Sequence, residues 1–120
     1  IYEDEYASDY RKISFYAQDV KVGSVIEVKY RLRSTIYWSI EDIYFQKTIP
    51  VNLSESEVRI PGMFTFHKKL RGSHHVDYAS DIEHMALGSY QYEIGVDKFV
   101  AVDIPAFRYE PYIYYPEQYL

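Results

Sequence analysis

From Val25 onward to Arg33 the chain alternates, the pattern being regular from Ile26. Ile26, Val28, Tyr30 and Leu32 fall on one side, Glu27, Lys29, Arg31 and Arg33 on the other. A period of two predicts a strand with one face on a core and one in water. Gly23-Ser24 is a turn signal that gives this strand a start. Lys12 to Ala17 repeats the pattern, with Ile13, Phe15 and Ala17 against Lys12, Ser14 and Tyr16. Gln18 to Gly23 then joins the two runs as an expected antiparallel pair.

Later runs extend the list. Ile43 to Ile49 reads as a strand ended by Pro50, which has no N–H to donate. Ser34 to Asp42, with Trp38, reads as a partly apolar connection or the ragged start of that strand. Asn52 to Ser56 reads as a polar linker, in which Asn52-Leu53-Ser54 matches a short glycosylation acceptor. Glu57 to Ile60 alternates again, Pro61-Gly62 signals a turn, and Met63 to Lys68 reads as an extended arm or hairpin. Lys69 to Gly88 has no clean period, and Ser80 to Met85 fits one helical turn or a weak strand. Tyr90 to Ile94 reads as a strand with Tyr90, Tyr92 and Ile94 inward. Gly95 to Lys98 is expected to turn into Phe99 to Val102, and Ile104-Pro105 to stop regular structure. At the other end, Ile1 to Tyr10 suits a solvated terminus, or a short helix with Tyr2, Tyr6 and Tyr10 in a stripe.

Six or seven short strands with turn signals between them predict an all-β fold. The expected form is an antiparallel β-sandwich of immunoglobulin-like type with little helix. Residues 1–120 have the length of a single β-sandwich domain or most of one.

Composition narrows the chemistry. There is no cysteine, which excludes disulfides, thiol nucleophiles and thiolate metal sites. A net charge of −5 argues against a nucleic-acid partner. No apolar run has the length of a membrane span, and no signal peptide opens the chain. A start at Ile1 without methionine suits a mature or excised fragment.

Catalytic and metal sites find little support. His74, His75 and His84 stand among Asp77, Asp81 and Glu83, but adjacent histidines on a strand point to opposite faces. Glu41, Asp42, Glu55 and Glu57 lie in polar runs, where nothing shifts a carboxylate toward acid–base work. No nucleophile elbow is present. Lys68-Lys69-Leu70-Arg71 reads as a solvated basic loop. The expectation is a non-enzyme without cofactor or metal.

Fifteen tyrosines are the compositional outlier. Tyrosine suits strands, where the ring covers half-buried surface, and equally suits binding surfaces. Phe107, Tyr109, Tyr112, Tyr114 and Tyr115, with Trp38, form the candidate interface or binding surface. Such a tail either packs on its own sandwich or a neighbouring domain, or holds a glycan or peptide.

Two segments carry a family likeness. One runs from Val20-Lys21-Val22-Gly23-Ser24-Val25-Ile26-Glu27-Val28-Lys29-Tyr30, through Ile43 to Val51, to Val58-Arg59-Ile60-Pro61. The other is Asp103-Ile104-Pro105-Ala106-Phe107-Arg108-Tyr109-Glu110-Pro111-Tyr112. In order, spacing and proline positions they resemble the bacterial family named domain of unknown function 3857. The resemblance implies a β-sandwich accessory domain of an exported, periplasmic or cell-surface protein of Bacteroidetes type. It also implies a transglutaminase-like domain downstream in the same parent chain, and further strands upstream. It brings no catalytic residues. Without the upstream strands, an open strand edge would remain for a second copy of the chain to pair.

Overall fold

The computed structural model describes residues 2–7, 10–36 and 38–108, with side chains from Ile13 onward. Among these residues the fold is all-β, with no helix. The strands are β1 (Tyr2–Ala7), β2 (Tyr10–Ser14), β3 (Val51–Pro61), β4 (Asp77–Leu87) and β5 (Tyr90–Ile104). Two compact units divide the chain, Ile1–Thr35 and Ile36–Leu120.

In the first unit, β1 and β2 form an antiparallel hairpin with a register irregularity between Glu5 and Ala7. Tyr2–Ala7 is therefore a strand, where a solvated terminus or short helix is expected. Its register sets Asp4 opposite Lys12 and Glu5 opposite Arg11, residue types of opposite charge. The expected turn at Gly23 is present. Ser24 N–H donates to the Lys21 carbonyl at 2.9 Å, and Gly23 takes φ 89°, the positive value a type II turn needs at its third residue.

The run after that turn departs from expectation. Residues 25–33 join no sheet, and Val25 and Leu32 are 77% and 79% exposed. Alternation fits a chain to a sheet, but a strand also needs a partner edge for its N–H and C=O groups. The expected neighbour, β2, pairs with β1 instead.

In the second unit a three-stranded antiparallel sheet has the order β3-β5-β4. This much of the expected antiparallel architecture is present. β4 and β5 are joined by Gly88-Ser89, with Leu87 opposite Tyr90. Gly88 has φ 61° and Ser89 has no positive φ, the pattern of a type II′ hairpin turn. β3 returns against the other side of β5 with Val51 opposite Ile104 and in continuous register from Leu53↔Val102 to Pro61↔Ile94.

Three sequence expectations are corrected here. Asn52 to Ser56 lies within β3 rather than in a linker, because Leu53 to Ser56 pair with β5 despite weak strand propensity. Gly95 to Lys98 does not turn but continues β5, with Gly95 between Ile60 and Ile82. Ile43 to Ile49 is not a strand of the sheet. Ser80 to Met85 takes the strand option, inside β4. The Pro61-Gly62 turn is present, with Phe64 N–H donating to the Pro61 carbonyl at 3.0 Å. β5 stops at Ile104, before Pro105.

The core sits on β5, where Val96, Phe99, Ala101 and Ile104 are buried. A central strand is flanked on both edges, so its side chains lose the most water. One face carries Phe99 and Ala101 with Ser54, Ser56, Val58 and Ile60 of β3 half-buried beside them. On the opposite face Val96 is only 1% exposed. Arg59 of β3 pairs in register with Val96 and reaches Glu83 of β4, so its side chain crosses β5 above that valine. Its aliphatic stem lies over that valine and helps exclude water from it.

Candidate functional site

Asp97 is the buried polar residue of the described core, 6% exposed in the middle of the central strand. A carboxylate there needs partners, since an unpaired buried charge is costly. Strand register supplies two of them: Ser80 lies directly opposite Asp97, and Tyr78 lies opposite its face-neighbour Phe99. Tyr78 donates its hydroxyl proton to Asp97 Oδ1 at 2.7 Å. Lys68, from the irregular segment after Gly62, donates to Asp97 Oδ1 at 2.8 Å and to the Tyr78 hydroxyl at 2.8 Å. Lys68 Nζ also lies 2.8 Å from Asp97 Oδ2 and 5.1 Å from the centre of the Tyr78 ring.

The electrostatics follow from these contacts. Burial pushes the Asp97 carboxyl up, but hydrogen bonds from Lys68, Tyr78 and Ser80 outweigh it and hold the group below the usual aspartate range. Bonding to Asp97, then to Tyr78, holds the Lys68 ammonium above the usual lysine range. Both groups are charged at neutral pH, and the cluster is closed. No buried side-chain nitrogen or oxygen lacks a partner among the described residues. The three side chains form a hydrogen-bonded knot that ties the segment at Lys68 to β4 and β5.

Beside the knot lies a cleft of about 380 Å³. Its walls include Trp38, Ile40, Phe45, Phe66, Leu70 and Phe99, with Lys68 and Asp97 among the lining. Phe99 stacks obliquely on Tyr78 at 5.2 Å between ring centres and meets Phe45 at 6.4 Å. The cleft is therefore aromatic, with one ion pair in its wall.

Of the residues singled out by sequence, Trp38 is 71% exposed and lines this cleft. Phe107 is half-buried, and its N–H donates to the Lys47 carbonyl at 2.7 Å. Tyr109, Tyr112, Tyr114 and Tyr115 lie outside the described residues. The histidines do not converge. His75 Nε2 lies 2.9 Å from Asp77, while His84 Nδ1 lies 3.8 Å from Glu93. No group of three or more potential metal-binding side chains is gathered among the described residues. No helix among them is long and apolar enough to cross a membrane.

Asp97, Lys68 and Tyr78 were not legible as a unit. Lys68 stood in a basic run, Asp97 in an expected turn, and Tyr78 in a stretch without period. The available signal was an acidic residue between Val96 and Phe99-Val100-Ala101-Val102, which a continuous strand would have buried. No family model, curated protein or solved structure matches the chain.

Proposed function

We propose that the chain is a non-catalytic accessory domain of a larger exported bacterial protein, holding a transglutaminase-like domain of the same parent chain in position. The joint is the segment from Pro105 to Tyr115. The observation supporting this reading is the tethering of its first residues. Gln46 donates its side-chain amide to the Pro105 carbonyl at 2.9 Å, and the Lys47 carbonyl receives the Phe107 N–H. Two hydrogen bonds within three residues fix the direction in which the chain leaves β5, which a positioning domain requires and a free tail does not. The motif resembling the family covers the same residues.

The test uses the intact parent protein. Tyr112→Ala with Tyr114→Ala, and separately Gln46→Ala, are expected to speed proteolysis at the joint and lower the unfolding temperature of the paired domains. Unchanged protease resistance and thermal unfolding would overturn the role.

A second reading rests on the cleft beside Trp38: a glycan- or peptide-binding module whose aromatic wall stacks on its ligand. Titration with cell-wall fragments should then give a saturable change in Trp38 fluorescence. A flat titration counts against it.

A further inference from the structure

Among the described residues the chain carries an alternating run that is in no sheet and, elsewhere, a sheet edge that no strand covers. Residues 25–33 are the unpaired run. The sheet has two outer edges, β3 and β4. They are not equivalent. β3 carries Pro61, which blunts an edge, and Arg59, engaged with Glu57 and Glu83. β4, Asp77-Tyr78-Ala79-Ser80-Asp81-Ile82-Glu83-His84-Met85-Ala86-Leu87, has no lysine, arginine or proline. Its charges are all carboxylates, so the edge is guarded against another acidic strand but open to a basic one.

Charge and apolar pattern on β4 complement the run. Asp77, Asp81 and Glu83 share one face of β4, and Tyr78 and Ile82 the other. The run presents Lys29, Arg31 and Arg33 on one side and Ile26, Val28, Tyr30 and Leu32 on the other. Antiparallel pairing with Tyr30 opposite Ile82 sets Lys29 opposite Glu83 and Arg31 opposite Asp81. It also sets Val25 opposite Leu87, and leaves no like charges directly opposed. The apolar side then continues the face that bears Tyr78 and Ile82. Tyr30 and Ile82, 76% and 59% exposed, cover each other.

We infer that β4 of one copy accepts residues 25–33 of a second copy as a fourth strand, so that two chains exchange strands. Each copy gives one run and accepts one, and the contact closes as a twofold dimer. The inference goes beyond the proposed positioning role and does not rest on it.

The absence of cysteine makes the test clean. Directly opposed residues of an antiparallel pair lie about 4.5–5.5 Å apart at Cα, within the span a disulfide bridges. Tyr30→Cys and Ile82→Cys are made separately in the full chain, mixed under mild oxidant, and resolved by mass. A cross-linked species at twice the 14.3 kDa chain mass, formed only in the mixture, is expected. The variant carrying both cysteines distinguishes the other occupant. An internal disulfide at monomer mass, with none in the mixture, overturns the exchange in favour of pairing within one chain. No cross-link in either sample overturns both.

Charge reversal gives an independent measure. Arg31→Asp should weaken self-association about tenfold, and adding Asp81→Arg should restore it. Both side chains lie at exposed positions, so folding is not at stake. Association indifferent to Arg31→Asp would also overturn the pairing.

Discussion

Replacing Lys68 with methionine removes the one cation of the Asp97 knot while keeping most of the stem that packs beside Tyr78. Asp97 retains Tyr78 and Ser80 as donors but loses its counter-charge. Hydrogen bonds to charged groups contribute about 1.5–3 kcal/mol, and breaking a fully buried pair costs about 3–5 kcal/mol. Lys68 is 42% exposed, so water screens the pair and the lower range applies. The expected loss is about 1.5–2 kcal/mol, or about 5–10 °C in Tm for a chain of this size. The pH dependence identifies the cause. The Asp97 carboxyl is held below its unfolded value near 3.9, so its contribution is present above about pH 4 and lost as pH falls through the folded value. Lys68 is shifted upward, so its share holds below about pH 10.4 and is lost as pH rises through its folded value. The gap between wild type and Lys68→Met should be widest between about pH 5 and 10 and close in acid. Urea unfolding at a series of pH values measures it. A gap that stays constant down to pH 3, or is absent at pH 7, would refute the assignment of Lys68 as the partner that keeps Asp97 ionised.

Other consequences are simpler. Phe99→Ala empties the centre of the Phe45–Phe99–Tyr78 contact and should cost about 3 kcal/mol in urea unfolding. Gly88→Ala forces a Cβ into the positive φ of the β4–β5 turn and should cost about 1 kcal/mol, whereas Gly88→Asn should cost less. Arg59→Met removes exposed pairs with Glu57 and Glu83, in which Glu83 first and Glu57 second favour the protonated guanidinium. Its effect on Tm should be smaller than that of Lys68→Met and should vanish in molar salt, since exposed pairs are screened and the stem over Val96 is preserved.

Local chemistry in the sequence determined where the backbone turns and which residue types favour strands. Pro61-Gly62 and Lys21-Val22-Gly23-Ser24 are turns because proline and glycine act within four residues. Proline after Ile104 stops β5 for an equally local reason. The runs Glu57 to Ile60 and Tyr90 to Ile94 alternate and lie in strands. What the sequence could not determine is which alternating run finds a partner. Residues 25–33 have the cleanest period and no place in the sheet, while in the polar stretch Asn52 to Ser56, of weak propensity, Leu53 to Ser56 all pair with β5. Ladder hydrogen bonds join residues far apart in the chain, so period is a necessary condition and the tertiary neighbour supplies the sufficient one. The same distance hid the knot. Asp97 lies 29 residues from Lys68 and 19 from Tyr78. Only when β5 runs unbroken through Gly95, with β4 beside it, does that aspartate become a buried charge held by a lysine and a tyrosine.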